Sequence, residues 1–379
     1  MRYAIWFGNA TGERRRGTSV RNLRVPAHYE VIPADDGPSN FLGTAMPEIA
    51  IQSEVQKSPV ADEVSALTAV VRPILKSLLY SLKTEVVEQV GTHAELKLLM
   101  LPRLYRHGDG DCGICYEYAV HDALQNGEAT VLERVWDALR MCKVPGSDLE
   151  SILFGIEKKG ASQLIATAEE VLTDDSRLLT GTRSQPPKLK GYLNVIAAAF
   201  RRPTTRLSLP TSINGLWKAD LFLGTTDKDR WVGTTVKINP QQLEGANGLR
   251  IGIVPASQGS SDRIHKDEQR NLIICPLAYD GAFMEIFYSA WSIVQQFINA
   301  DAKMPKEVNL PIPSHRQVAR ELVQRRDFAV EDVIDALTPL AQPHLLETNP
   351  ISKPIAQKGE GEMLLDGLIS PVPRTISQE

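Results

Sequence analysis

The sequence predicts an α/β protein: a mixed central sheet with flanking helices, a helical insertion and a small β-rich N-terminal region. Three observations carry this. Residues 215–238, GLWKADLFLGTTDKDRWVGTTVKI, alternate in the manner of two strands joined by a polar turn. Two further short apolar runs, LRIGIVPA (Leu249 to Ala256) and NLIICPLAY (Asn271 to Tyr279), follow them. Long stripes of helical period stand before and after these strands, the arrangement that covers a sheet with helices.

Taken in order, residues 1–60 form the β-rich N-terminal region. Tyr3 to Phe7 and His28 to Ile32 read as strands around GNATGERRRGTS, which has turn chemistry. Residues 61–126 are helical. Val64, Leu67, Val70, Val71, Ile74, Leu75, Leu78 and Leu79 make one stripe, with Pro73 expected to kink or split the helix and Gly91 to stop it. A second helix begins near Cys115, where Tyr116, Ala119, Val120, Ala123 and Leu124 share a face.

Residues 127–203 read as a helical insertion, with segments Glu128 to Cys142, Asp148 to Lys158, Ala161 to Leu172 and Leu189 to Arg201. Residues 204–300 form the α/β core and end in a helix from Gly281 to Ala300. Within it, SQGSSDRIHKDEQR reads as a surface loop. Residues 301–341 add C-terminal helices broken near Asp327. Residues 342–379 are Pro-, Gly- and Ser-punctuated and read as a flexible tail.

A chain of 379 residues with 42% hydrophobic and 23% charged residues can bury a sizeable core. Four cysteines give no disulfide framework, and no apolar run is long enough to span a bilayer, so a cytoplasmic protein without a membrane partner is expected. The net charge of −4 lends no general support to nucleic-acid binding, so any such contact must come from local clusters. One is Arg14, Arg15, Arg16, Arg21 and Arg24; the other is Lys188, Lys190, Arg201, Arg202 and Arg206, just before the paired strands. Solvated helix ends account for either without a ligand.

In residues 215–238 the alternation puts Leu216, Lys218, Asp220 and Phe222 on one face of the first strand. Gly233, Thr235 and Lys237 share a face of the second. A carboxylate and a lysine set into apolar strands are costly unless paired or used. Metal-dependent phosphodiester hydrolysis uses such a pair, the carboxylate for a divalent cation and the lysine for the attacking water and the phosphate charge. An ordinary ion pair is the alternative.

The layout resembles the PD-(D/E)XK nuclease superfamily, whose pattern is an Asp on one strand and an acid-x-Lys triplet on the next. Ala219-Asp220 corresponds to the first element and Thr235-Val236-Lys237 to the second. Thr235 stands where the family has an acid, and Ala219 where it has Pro. The resemblance implies a restriction-endonuclease-like core and catalytic residues Asp220, Lys237 and Glu117. Glu117, on the helix before the sheet, would replace the missing ligand, with His121 as an alternative behind it. Asp220 and Glu117 would hold Mg²⁺ or Mn²⁺, which needs few protein carboxylates. Lys188, Lys190, Arg201, Arg202 and Lys218 would contact the nucleic acid.

The resemblance further implies DNA as substrate, a restriction or phage-defence setting, and a protein partner or homo-oligomer. Two other readings remain open: a degenerate nuclease-fold binding subunit of a larger complex, and an unrelated α/β scaffold. Cys112-x-x-Cys115 lacks the second ligand pair of a zinc site and the strand context of a redox motif, so it reads as a pair of reduced thiols. The sequence has no phosphate-binding glycine loop for ATP or NAD and no HExxH.

Overall fold

The computed structural model describes residues 49–50, 59–105, 111–154, 168–182, 185–256, 263–278, 282–304, 309–341 and 363–364. The N-terminal arginine cluster and most of the N-terminal region and C-terminal tail lie outside these. Ile49–Ala50 and Met363–Leu364 form a short parallel pair.

The main sheet has seven strands: β1 (Leu149–Leu153), β2 (Arg177–Leu178), β3 (Leu221–Thr225), β4 (Arg230–Val236), β5 (Arg250–Pro255), β6 (His265–Asp267) and β7 (Leu272–Leu277). Their order is β1-β3-β4-β5-β7-β6, with β2 alongside β4. β1, β3 and β4 are an antiparallel meander; β5 and β7 continue parallel to β4, and β6 closes the edge antiparallel to β7. The protein is therefore a mixed α/β structure with an open mixed sheet flanked by helices.

The two faces of the sheet have different cover. Leu221, Leu223, Val232, Val236, Ile251, Ile253 and Ile273 lie in one buried cluster with helices α1 (Pro59–Ser81), α2 (Asp111–Gln125), α3 (Ala129–Met141) and α5 (Ala282–Asn299). Helices α6 (Pro313–Gln324) and α7 (Val330–Leu337) complete this layer. The opposite face carries Phe222 and Trp231, packed on Leu193, Ile196 and Ala197 of α4 (Leu193–Arg201). Each fully buried Leu, Ile or Phe adds about 1.5–3 kcal/mol, so both layers hold the sheet.

Several sequence expectations need correction. The segment Asp148 to Lys158, expected as a helix, supplies β1, and all five residues of that strand pair with β3. A short apolar run satisfies helix and strand templates equally, and here the free edge of β3 decides. The insertion is thus not wholly helical; residues 155–167, including most of the expected Ala161 to Leu172 helix, lie outside the described residues. Residues 215–218, expected to begin the first strand, belong to a 3-10 helix (Thr211–Lys218), and the strand starts at Leu221. Gly233 explains the fit: a Cβ there would collide with the Leu216 side chain, so its absence lets the 3-10 turn close onto β4. Pro73 does not split α1, whose Val70, Val71, Ile74 and Leu75 are all buried; this packing outweighs one lost backbone bond. The expected surface loop after β5 includes the edge strand β6.

Candidate functional site

Asp220 immediately precedes β3, and its backbone already belongs to the sheet: its N–H donates to Thr234, and its carbonyl accepts from Phe154. Because Leu221 pairs with Thr234, the register carried one residue further sets Asp220 opposite Thr235 on the face that carries Phe222 and Gly233. Lys237 follows β4, held by its N–H to the Ile253 carbonyl. Glu117 comes from α2 on the other layer. The three side chains meet at the end of β4, where the layers join.

There the Lys237 ammonium donates to Asp220 Oδ2 at 2.9 Å and to Glu117 Oε1 at 3.1 Å. Asp220 Oδ2 also accepts from the Thr235 hydroxyl and the Val236 N–H, each at 3.0 Å. The side chains of Asp220 and Glu117 are only 9% and 12% exposed, so these bonds form in a screened setting. Burial alone would lower the Lys237 pKa. Asp220 and Glu117 together outweigh that and hold it above the usual lysine value, so the ammonium stays charged at neutral pH.

These groups line a cleft of about 680 Å³ whose other walls include Phe200, Trp217, Lys218, Glu244 and Arg250. Arg250 is a cleft residue that sequence reading missed. It begins β5 opposite Gly233, on the Asp220 face, and is 1% exposed. Burial lowers its pKa, and the nearby Asp220 carboxylate partly restores it. The signal was in LRIGIVPA: a charged residue in an apolar strand is the same anomaly that singles out Asp220 and Lys237. Lys218 pairs with Glu244 at the rim. Its pKa is lowered by burial and by the neighbouring Arg250 and Arg206.

Of the other expected nucleic-acid contacts, Lys188 is exposed, Lys190 lies 3.9 Å from Asp174, and Arg201 and Arg202 are exposed at the end of α4. Only Lys218 of the five lines the cleft. The expected role of His121 behind Glu117 is not what the fold gives. His121 lines a separate cavity of about 440 Å³ with Ser151, Lys76 and Tyr118, and its Nδ1 lies 3.0 Å from Ser151 Oγ. One helical turn along α2 carries it from the end of β4 to β1. Cys115 is buried and Cys112 half-buried, as expected of reduced thiols.

A divalent cation can be tested against these donors. Among the described residues no group of three or more His, Cys, Asp or Glu side chains converges as a cage. The Thr235 hydroxyl donates to Asp220 Oδ2 and brings no negative charge to the site. Two carboxylates facing one opening nevertheless suit Mg²⁺, which keeps several waters and takes further oxygens from phosphate. Compared with family models, curated proteins and solved structures, the chain finds no match. Among the described residues no helix is long and apolar enough to cross a membrane.

Proposed function

We propose that the cleft hydrolyses phosphodiester bonds of nucleic acid, with DNA as the substrate, as a divergent PD-(D/E)XK nuclease dependent on Mg²⁺ or Mn²⁺. The observation that carries this reading is Lys237 bonded to both Asp220 and Glu117 in an open cleft. The antiparallel meander followed by a parallel strand supports the same family. Asp220 and Glu117 would hold the cation, which supplies an activated water and charge for the phosphate oxygens.

The chain's own residues have separable tasks. The Thr235 hydroxyl and Val236 N–H fix one oxygen of Asp220, leaving the carboxylate orientation determined before any ligand arrives. Lys237 stays protonated, so its work is to orient a water or bind a phosphate oxygen rather than to accept a proton. Arg250 adds positive charge beside Asp220. A defence setting and a protein partner remain proposals that follow from the family resemblance alone.

A second reading, a non-catalytic binding subunit on the same scaffold, is favoured by one feature: the charges of Glu117, Asp220, Lys237 and Arg250 cancel without a metal. A plasmid-nicking assay separates the two. Mg²⁺- or Mn²⁺-dependent nicking that is lost in Lys237→Ala supports the nuclease. DNA binding without nicking in either metal supports the binding subunit.

A further inference from the structure

We propose that the cleft contains a nucleotide subsite beside Asp220 and Lys237, in which Arg250 and Lys218 receive a backbone phosphate and the Trp217–Phe200 pair stacks the attached base. The strand in this part of the cleft is therefore single-stranded. The proposal rests on the phosphodiester reading above and specifies the form of its substrate.

Arg250 is the first observation. One of its terminal nitrogens donates to the Glu244 carbonyl, while its buried Nε has no hydrogen-bond partner among the described residues. Among the described residues Arg250 forms no ion pair, although it is almost fully buried and lines the cleft. Buried guanidinium groups are ordinarily satisfied by carboxylates, and an unsatisfied donor in a cleft is an invitation to an anion. The planar fork of arginine matches a phosphate with two parallel bonds.

The second observation is the aromatic wall beside it. The Trp217 and Phe200 ring centroids are 6.4 Å apart with planes tilted by 47°. Phe200 is 41% exposed, unusual for a large apolar ring, and Trp217 is half-buried. Arg206 sits 3.8 Å from the Trp217 ring centroid and the Lys218 ammonium 5.1 Å, so cations attend the rings. Trp217 and Lys218 also line a second cavity of about 510 Å³ that continues to Arg206, Asn214 and Gln269. The groove thus runs past the rings with Arg206 on one side and Arg250 on the other, while Lys218 is held by Glu244 and must exchange that carboxylate for a phosphate. Phosphates follow such charge while bases stack on the rings, the usual design for an unpaired strand. Duplex bases are already stacked on each other and cannot present their faces to a side chain.

The test uses Asp220→Asn, which allows binding to be measured without turnover. Fluorescence anisotropy with single-stranded and duplex DNA oligonucleotides of one sequence should give about tenfold tighter binding of the single strand, the scale of one stacked base. Trp217→Ala in that background should remove most of this preference and leave duplex binding unchanged. Arg250→Gln, checked for folding by near-UV circular dichroism, should reduce the slope of log affinity against log salt by about one phosphate contact, whereas Arg250→Lys, which keeps the charge but not the planar fork, should weaken binding with the slope retained. Equal affinity for both forms, or an unchanged preference in folded Trp217→Ala, overturns the subsite. The parent protein tests the other reading independently. Absence of metal-dependent cleavage alongside the expected binding pattern removes the nuclease and leaves the subsite. Single-strand cleavage that Trp217→Ala does not alter removes the subsite and leaves the nuclease.

Discussion

Glu117 and His121 lie four residues apart on α2, yet the fold treats their charges in opposite ways. Glu117 faces Lys237, which also faces Asp220. His121 is half-buried against Ser151, and its pKa is driven down to about 4 by burial and then by Lys76. In the first case two opposite charges overcome desolvation and keep Lys237 ionised. In the second, burial meets a like charge and the imidazole stays neutral. Burial alone therefore does not decide whether a group is charged; the sign of its neighbours does. The Glu117 side of the helix retains usable charge, and the His121 side behaves as structure.

The largest effect should come from removing charge on the Glu117 side. Asp220→Asn and Lys237→Ala should each lower metal-dependent nicking by about 10²–10³-fold, the scale of losing one preorganised charged or hydrogen-bonding group. Near-UV circular dichroism should remain that of the parent for Asp220→Asn, which changes charge at nearly constant volume. The sign for Lys237 is also fixed. Its folded pKa is raised, so its contribution to stability is complete below the unfolded lysine value and is lost as pH rises through the folded pKa. Urea midpoints that are flat from neutral to mildly alkaline pH in both parent and Lys237→Ala fit this. A parent midpoint that rises as pH climbs above about 8, absent from Lys237→Ala, would mean that burial lowers the folded lysine pKa and that the ammonium is not held by its two carboxylates.

The His121 side gives a smaller effect of opposite sense. The folded pKa of about 4 lies below the ordinary histidine value of 6.5, so on acidification the unfolded chain takes up the proton first. Stability should fall as pH drops from about 6.5 towards 4 and then level off, by ~2 kcal/mol in all for a half-buried ring. His121→Gln should flatten that limb in urea titrations and leave nicking at pH 8 within a fewfold of the parent. Loss of nicking in folded His121→Gln would break the comparison, because it would bring His121 into the chemistry.

The legible parts of this chain were those in which a local pattern had one physical outcome. The alternation from Leu221 to Thr225 and from Arg230 to Val236 could only place Thr235 and Lys237 together, and the hairpin turn carried Asp220 to them. The long stripes of α1 and α5 were equally unambiguous. What was hidden depended on contacts distant in sequence. LESIL became β1 because β3 offered an edge, and Trp217 moved from strand to 3-10 helix because Gly233 left room. Glu117 and His121 looked interchangeable on a helical projection. Their separation follows from α2 crossing the sheet, so that one residue reaches the end of β4 and the other reaches β1.

The smallest expected effect concerns Thr235 and asks what the hydroxyl beside Asp220 does. It is 4% exposed and spends its hydroxyl on Asp220 Oδ2, which keeps two other donors, the Val236 N–H and the Lys237 ammonium. Thr235→Val preserves shape and removes that one bond, so it should cost ~1 kcal/mol and lower nicking by less than about tenfold. Thr235→Ser should restore most of both. Thr235→Glu acts differently: it places a third carboxylate beside Asp220 and Glu117, with one ammonium to serve them. Without metal it should destabilise the protein by mutual repulsion, and Mg²⁺ should recover the loss in a concentration-dependent way, because the cation binds only the folded arrangement. In a Glu117→Gln background the same substitution should restore part of the nicking, since the ligand count returns to two. Stability that does not respond to Mg²⁺ in Thr235→Glu would mean that these carboxylates do not share a cation, and the Glu117 side would then be only a buried ion-pair network.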